Sequence, residues 1–305
     1  MPAFMNCNSM PDDILLRHKF EHVLFKFGVW LANNLPARLI DGVSAGLWRA
    51  IAPRLHRHRR AIRNLKAAMP ELSASERETL LDRMWDNLGR TAVEALALHK
   101  IADDTEAVTL NFSDDAIAIM QSAKPAIFVS LHMGNWEVPA LAAEKFGKPL
   151  IGVYQKILNP LIDKDVHQLR ARFYRGGLYS KSLETITKVR RGISQGYSVA
   201  IMADLRDSHG VFVDFFNLPT SVTTFPALLS RLYDLPIVAI RAIRTDGRKF
   251  RIDAINLDLQ RLASRDDEIL ETTRRIQNQF EQWIREEPAL WLWGHRRWNL
   301  DALKK

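Results

Sequence analysis

Residues 126–137 read AIFVSLHMGNWE, an apolar run that ends on a histidine and turns at a glycine. The first six residues have the length and apolar content of a buried strand. Similar runs follow: PLIGVY (149–154), SVAIMA (198–203), IVAIRAI (237–243) and FRIDAI (250–255). Helical patterns lie between them at roughly 135–146, 160–175, 182–195 and 223–234. This alternation predicts an α/β fold with a largely parallel sheet covered by helices.

The chain before these strands carries helical patterns from about residue 12 to residue 110. Ser73-Ala74-Ser75-Glu76 has the form of a capping box, which predicts the start of a helix that continues through MWDNLGRTAVEAL (84–96). A last helix is predicted over Asp266 to Glu286. The sequence has neither internal repeats nor a low-complexity linker. We therefore divide it into an N-terminal segment, 1–55, and one larger domain, 56–305.

The N-terminal segment is a candidate for membrane contact. Its apolar run VLFKFGVWLA (23–32) is broken by Lys26 and has about half of the roughly 20 residues that a spanning helix needs. Apolar residues recur there at helical spacing, with basic residues between them: Leu16, Phe20, Val23, Phe27, Trp30 and Leu31. Two interpretations remain open, because such a helix can lie on a bilayer surface or pack against a core.

Composition limits the classes of function. The 305 residues are 47% hydrophobic and carry a formal net charge of +8, so the chain can bury a sizeable core and is basic. The single cysteine, Cys7, excludes a disulfide framework and is typical of a reducing compartment. The start MPAFMNCNSMPDD has no basic region followed by an apolar one, so we expect no secretory signal.

Positive charge is concentrated in RLHRHRRAIRNLK, residues 54–66, which contains no acidic residue. Such a cluster suits the phosphates of anionic lipid or nucleic acid, or an acidic carrier protein, and it is also compatible with a solvated helix face. The sequence has no zinc-finger spacing, RNP-type aromatic motif or Gly-rich clamp. Nucleic acid is therefore the weakest of these partners.

His132 is expected just past the carboxyl end of a strand, where open α/β sheets bind their ligands. Gly134 allows a sharp turn, and Asn135 is expected to begin the next helix, with Glu137 in its first turn. The carboxylate of Glu137 could then accept a hydrogen bond from one ring nitrogen of His132 and leave the other free as a base. A histidine that only bonds within a turn has the same spacing, so both interpretations stay open.

Other common chemistries lack their motifs. The sequence contains no HExxH or other ligand pair at zinc spacing, no GxSxG elbow, and neither of the glycine-rich nucleotide loops GxGxxG and GxxxxGK[ST]. What remains is a base that activates a hydroxyl group supplied by the substrate.

Four ordered stretches resemble the late acyltransferases of lipid A biosynthesis, a branch of the lysophospholipid acyltransferase superfamily. HMGNWE (132–137) looks like their HxxxxE box, and LWLWGHRRW (290–298) looks like their closing W.HRRW signature. RNLKAAMPELSASERETLLDRMWDNLGRTAVE (63–94) and MADLRDSHGVFVDFFNLPTSVTTFPALLSR (202–231) are similar to two further blocks. The resemblance covers nearly the whole chain after about residue 20.

The resemblance implies a glycerolipid-acyltransferase-like enzyme at the cytoplasmic face of the inner membrane. It would move a fatty acyl group from acyl carrier protein to a hydroxyl of a phosphorylated glucosamine lipid. The implied partners are the carrier protein, that lipid and an anionic membrane surface, with no metal, cofactor or nucleic acid. By motif position, His132 is the general base and Glu137 orients it, and the alcohol attacks the thioester directly.

Other motif positions imply substrate contacts. The backbone amides near Gly134 and Asn135 are available to the developing oxyanion. Arg170 and Arg172 match arginines after an Asn-Pro turn, and their donor geometry suits a phosphate or the carrier. Asp204 matches an acid of the third block; a residue that organises the site and an aspartate that only caps a loop both fit this position.

Two departures leave the acceptor open. Family members often show DQ and PFFG where this chain has Asp204-Leu205 and DFFN (214–217). Acylation of a glycosylated phosphatidylinositol or a lysophospholipid is therefore an alternative, and a non-catalytic membrane-associated protein of the same fold is another. We expect the tryptophan-flanked residues His295, Arg296 and Arg297 to be structural. The apolar residues of 211–232 could line an acyl groove, but their spacing is more typical of core.

Overall fold

The computed structural model describes residues 14–301, so Cys7 lies outside the described residues. Helices fill most of the first ninety described residues, and strands alternate with helices after that. The helices are α1 (Leu16–Asn34), α2 (Ala37–Ile51), α3 (His56–Ala68), α4 (Ala74–Leu96), α5 (Leu98–Asp103), α6 (Asp114–Gln121), α7 (Pro139–Lys145), α8 (Pro160–Ala171), α9 (Leu183–Ser194), α10 (Phe225–Tyr233) and α11 (Arg265–Glu286). Among residues 14–301, no helix is long and apolar enough to cross a membrane.

Seven strands form the central sheet in the order β1-β9-β8-β2-β5-β3-β4, and β6 pairs with β7 in a separate hairpin. The strands are β1 (Val108–Phe112), β2 (Ile127–Ser130), β3 (Leu150–Tyr154), β4 (Gly177–Ser180), β5 (Ser198–Met202), β6 (Arg206–Phe215), β7 (Leu218–Val222), β8 (Ile237–Asp246) and β9 (Lys249–Asn256). Within the sheet only β8 and β9 are antiparallel neighbours. The predicted α/β class with a largely parallel sheet is confirmed.

Side chains of β2 alternate between the two faces of the sheet, and this alternation builds two cores. Ile127 and Val129 pack with residues of α3, α4, α9, α10 and α11 on one face. Phe128 packs with residues of α5, α6 and α7 on the other. Because both faces are covered, the central strands read as nearly continuous apolar runs, which is why they were predictable from the sequence.

The edge strands were not predicted. β1 has the sequence VTLNF with its three middle residues exposed, and β4 is the four-residue strand GLYS. Neither carries the apolar run that marks a central strand, because an edge strand is covered less completely. The helical region expected to reach about residue 110 ends with α5, and β1 begins at Val108.

The predicted capping box at the start of α4 is confirmed. The Ser73 side chain accepts a hydrogen bond from the backbone N–H of Glu76 at 3.2 Å, and the Glu76 carboxylate accepts from the Ser73 N–H at 2.7 Å. These bonds satisfy two backbone donors that would otherwise lack partners. They fix the start of the long helix that carries side chains to the sheet edge described below.

Helices α1 and α2 leave much of their apolar surface exposed. Exposed apolar side chains recur on both helices about one turn apart, with exposed fractions of 44–82%: Leu16, Phe20, Val23, Leu24, Phe27 and Trp30 on α1, and Leu39, Val43, Leu47 and Ile51 on α2. The other side of α1 packs on the protein through a small residue: Ala32 is buried against Val93 and Ala97 near the end of α4. The division of the chain at residue 55 stays a prediction.

Helices α2 and α4 approach each other closely at Gly89. A Cβ atom at this position would lie 2.6 Å from the Ala45 Cα and 2.8 Å from the Ser44 carbonyl oxygen. The Ser44 hydroxyl also donates a hydrogen bond to the Gly89 carbonyl at 2.7 Å. The spacing of the two helices therefore depends on a glycine here.

We expect Gly89→Ala to lower the free energy of unfolding by about 1–3 kcal/mol, because overpacking outweighs the gain in helix propensity. Gly46→Ala on α2 is the matched control, since a Cβ there meets nothing within 4 Å. That variant should gain roughly 0.5–1 kcal/mol. Urea unfolding of both variants measures the difference, and equal stabilisation by the two substitutions would contradict the close approach.

Candidate active site

The parallel register of β2 and β5 brings His132 and Asp204 together. Ser130 pairs with Met202 at the ends of these strands, and His132 and Asp204 each follow two residues later. The His132 Nδ1 lies 2.8 Å from one carboxylate oxygen of Asp204, and the His132 backbone N–H donates to the other at 2.9 Å. The two side chains thus meet at the carboxyl ends of the strands, where ligands of α/β sheets bind.

Asp204 is buried and held from several sides. The Trp291 indole N–H donates to its carboxylate at 2.9 Å, and the guanidinium of the buried Arg297 donates to its carbonyl oxygen at 2.8 Å. Burial alone would raise the pKa of Asp204, but the charge and hydrogen bonds of His132 and the charge of His295 hold it well below its usual range. An ionised carboxylate only accepts hydrogen bonds, so Nδ1 of His132 carries a proton.

The carboxylate that contacts the His132 ring is Asp204, and not Glu137 as expected. The Glu137 carboxylate is instead held in a two-point ion pair by Arg170, with Nε donating at 2.8 Å and Nη2 donating to the second oxygen. The expected helix start at Asn135 is also wrong, because α7 begins at Pro139. Residues 132–138 form a turn in which the Asn135 side chain accepts from the Glu137 N–H at 3.1 Å.

Gly134 sets the shape of this turn. Its φ is 58°, and a Cβ atom there would lie 1.9 Å from the Ala242 carbonyl oxygen, so a larger residue has no room. The Gly134 N–H donates to the Leu290 carbonyl at 3.0 Å, while its own carbonyl accepts from the Asn87 and Thr91 side chains, each at 3.0 Å. The Gly134 amide that was expected to face an oxyanion is therefore occupied in this structure.

Asn135 is anchored in a buried charge network. Its amide donates to the carboxylate of Glu94 at 2.8 Å, and Glu94 is fully buried and paired with the guanidinium of Arg244. Burying a carboxylate is costly unless it is paired and hydrogen-bonded in this way. The network fixes the loop behind His132 on α4 and β8.

Both arginines that were expected to bind phosphate or the carrier have carboxylate partners. Arg170 is paired with Glu137, and the pKa of Arg170 is raised because that pairing outweighs burial. Arg172 is partly exposed and bonds to Asp103 at 2.7 Å and to Glu144 at 2.9 Å. Their phosphate role stays a prediction.

The closing segment contributes more than a structural wall. The His295 ring lies 4.8 Å from the His132 ring, measured between centroids, and its Nε2 is buried without a hydrogen-bond partner. Burial, followed by the charge of His132, lowers the pKa of His295 to about 4. A neutral imidazole therefore lies beside His132, a contact that sequence reasoning missed, as it missed the support of Asp204 by Trp291 and Arg297.

A cavity of about 270 Å³ opens beside His132 and runs along one face of the sheet. We call it the His132 cavity. Its sheet wall comes from alternate residues of neighbouring strands, which the register places on the same face: Phe128, Ser130 and His132, then Ala200 and Met202, then Leu150, Gly152 and Tyr154. The opposite wall includes residues of α6, α7 and α8, among them Met120, Ala140, Ala143 and Tyr174 just past α8. Glu137 and Arg170 line it together with His132, so polar groups gather around an otherwise mainly apolar space.

The apolar residues of 211–232 do not line this cavity. Val213 and Phe215 of β6 and Leu229 of α10 are buried in the core instead, which agrees with the interpretation of this stretch as packing. Within residues 14–301, no group of three or more histidine, cysteine or acidic side chains is arranged to hold a metal ion.

Comparison with known proteins identifies the family. The family model described as "Bacterial lipid A biosynthesis acyltransferase" matches residues 12–300. The chain is 28% identical over 286 residues to the lipid A biosynthesis lauroyltransferase of Escherichia coli (strain K12), covering 89% of each chain. It is 26% identical over 297 residues to the lipid A biosynthesis myristoyltransferase of the same strain, covering 90% of this chain and 87% of that one. Over 294 residues it is 26% identical to lipid A biosynthesis acyltransferase 1 of Shigella flexneri, covering 90% of this chain and 87% of that one. The chain belongs to the bacterial lipid A biosynthesis acyltransferase family and is an acyltransferase.

Proposed function

We propose that this enzyme transfers a fatty acyl group from acyl carrier protein to a hydroxyl of a lipid A precursor, with His132 as general base. One observation carries the proposal: a histidine oriented by a buried carboxylate stands at the end of an apolar cavity. The names of the relatives support it, since two of them are lauroyl and myristoyl transferases of lipid A biosynthesis.

The proton chemistry follows from the tautomer of His132. Because Asp204 accepts the Nδ1 proton, Nε2 carries a lone pair and can take the proton of the acceptor hydroxyl. The oxygen then attacks the thioester carbon, and the carbonyl oxygen becomes negative. When this intermediate collapses, the carbon–sulfur bond breaks and the thiolate takes the proton back from Nε2. The nearby negative charge of Asp204 stabilises the imidazolium between these steps.

Glu137 and Arg170 are proposed to act on the other side of the reacting carbonyl. Arg170 lines the His132 cavity and is held rigidly by two bonds to Glu137. A fixed positive charge near the thioester would stabilise the developing oxyanion without reorganisation. Glu137 is then a positioning residue for Arg170, while Asp204 has that role for His132.

The His132 cavity is proposed to hold the acyl chain. Phe128 precedes His132 by four strand residues, which at about 3.3 Å per residue gives a depth of roughly 13 Å. A dry cavity of about 150 Å³ holds benzene, so at the same volume per carbon 270 Å³ holds about eleven carbons. Both values favour a medium-length chain.

The exposed apolar faces of α1 and α2 are proposed to rest on the cytoplasmic face of the inner membrane. Apolar side chains of this kind, with basic residues nearby, bind the boundary between headgroups and acyl chains. Leu158 is 93% exposed, and the next residue, Asn159, donates to the His18 carbonyl of α1 at 3.0 Å. This places a further apolar side chain beside the same helix.

The His132–Asp204 pair is tested by comparing a variant of His132 with variants of two carboxylates, Asp204 and Glu137. His132→Ala should lower transfer by about 10²- to 10⁴-fold. Asp204→Asn keeps an oxygen for the backbone N–H and Trp291 but presents an amide to Nδ1, which favours the wrong tautomer, so its loss should approach that of His132→Ala. Glu137→Gln should retain more activity than either, because the His132–Asp204 bond stays intact.

Initial rates with purified, folded variants measure this order, and near-normal turnover by Asp204→Asn would contradict the assigned roles. Intact-protein mass spectrometry after incubation with acyl carrier protein donor alone should show no acyl adduct. A stoichiometric adduct that the acceptor discharges would exclude direct attack.

Chain length should follow the far end of the His132 cavity. Met120→Ala removes three non-hydrogen atoms from that end, so the preferred donor should lengthen by about three carbons at the volume per carbon used above. Ala143 lines the same cavity, and Ala143→Leu would fill part of it, so the preferred donor should have a shorter acyl chain. Competition between donors of graded acyl length measures the preferred length of each variant. The two variants control for each other, because their preferred lengths should shift in opposite directions. If both variants keep the donor preference of wild type, the acyl chain binds outside the His132 cavity.

Membrane contact is tested with two charges on the exposed faces. Phe27→Glu combined with Leu47→Glu should lower binding to anionic vesicles at least tenfold, because each removes an apolar side chain from the bilayer boundary. Leu232→Glu on α10 is the control, since Leu232 is 61% exposed but lies on another helix. Flotation measures binding, and equal binding of the double variant and wild type would exclude this face.

A further inference from the structure

Helix α3 lies against the closing segment of the chain. The Arg60 guanidinium donates to the Gly294 carbonyl at 3.1 Å. The backbone oxygen and Cβ of Arg57 lie 3.6 Å and 3.7 Å from the position that a Gly294 Cβ would occupy. Arg57 and Arg60 are three residues apart and therefore share one face of α3. Both arginines thus lie next to the loop that carries His295.

A third arginine, Arg296, adds its charge to the same place. Burial, followed by the charges of Arg296 and Arg57, lowers the pKa of Arg60, so both of these positive charges act on the Arg60 guanidinium. Arg57 and Arg296 are exposed, and Arg60 is half-buried. None of the ion pairs found among residues 14–301 involves any of the three.

This cluster contrasts with the arginines on the other side of His132. Arg170 and Arg172 already bond to carboxylates, so an anion would have to compete with those partners. Arg57 and Arg296 repel Arg60, and no ion pair within residues 14–301 neutralises the three, so an added anion would relieve this repulsion. Guanidinium groups also match the oxygens of a phosphate geometrically.

The cluster lies close to the base. His295 separates Gly294 from Arg296 in sequence, and the charges of Arg57 and Arg60 act on the His295 ring. That ring is 4.8 Å from the ring of His132. An anion held by the three arginines would thus lie near the hydroxyl that His132 deprotonates.

We propose that Arg57, Arg60 and Arg296 form a phosphate site that holds a phosphate group of the lipid acceptor while its hydroxyl reaches His132. The inference rests on the proposed function and adds the part of the site that selects a phosphorylated acceptor. The phosphodiester of the donor's pantetheine arm is the other source of phosphate near the site. It is separated from the thioester by a long chain of bonds, whereas the cluster adjoins the base, so the geometry favours the acceptor.

The test compares acceptors with and without phosphate, using the full chain in detergent. Arg57→Ala and Arg296→Ala should each raise the KM for the phosphorylated acceptor about tenfold, which is typical for loss of a charge-assisted hydrogen bond. The KM for the dephosphorylated acceptor and the KM for acyl carrier protein donor should change less than twofold. Arg59→Ala is the matched control, because Arg59 is exposed on α3 but lies well round the helix from Arg57 and Arg60. It should leave all three constants unchanged.

A binding measurement separates this inference from the proposed function. Inorganic pyrophosphate should raise the Tm of wild type and Arg59→Ala, and the shift should be lost in the double variant Arg57→Ala/Arg296→Ala. This readout needs no turnover, so it remains decisive even if wild type transfers no acyl group to lipid A precursors, an outcome that would refute the proposed function alone. The phosphate site is refuted if pyrophosphate gives no shift in wild type or the same shift in all variants. It is also refuted if the variants raise the KM for the donor, or raise the KM for both acceptors equally.

Discussion

The hydrogen bond between His132 and Asp204 depends on the register of two parallel strands. Each residue follows its strand by the same number of positions, so pairing β2 with β5 is sufficient to place the two side chains opposite each other. A shift of one residue in either strand would turn that strand's side chains to the other face of the sheet and separate the pair. The apolar residues that fix this register, such as Val129 and Val199, are buried on the opposite face from the His132 cavity. The same alternation that builds one core therefore aims the His132 side chain into the cavity.

The sequence made the central sheet predictable but not the identity of the carboxylate at His132. Central strands are covered on both faces, so their apolar runs are visible, and the position of His132 at a strand end followed from them. Nearness in sequence favours Glu137 as the partner of His132. The actual partner is 72 positions away, and only the order of strands in the sheet makes it a neighbour. Edge strands and the late start of α7 were missed because a short strand or a turn held by Asn135 has no apolar period.

Most buried charges around the site occur in matched pairs. Glu137 is paired with Arg170, and Glu94 is paired with Arg244 while also accepting from Asn135. A buried carboxylate costs several kcal/mol to desolvate unless such partners are present. These pairs account for the rigidity of the turn between β2 and α7. Arg57, Arg60 and Arg296 differ from these residues, since no ion pair found among residues 14–301 gives any of the three a carboxylate partner.

The positions of the three proposed contacts follow from the fold. Strand ends supply the base, the covered face of the sheet supplies an apolar cavity, and α3 brings cations to the closing segment beside His295. The N-terminal helices extend this arrangement, because α2 packs on α4 at Gly89 and α4 bonds to the Gly134 carbonyl through Asn87 and Thr91. A surface on which α1 and α2 rest would therefore be connected to the turn that carries His132 by a continuous series of packed helices. If the acceptor of the proposed function stays in a membrane, helices that rest on that membrane would hold the strand ends near its headgroup.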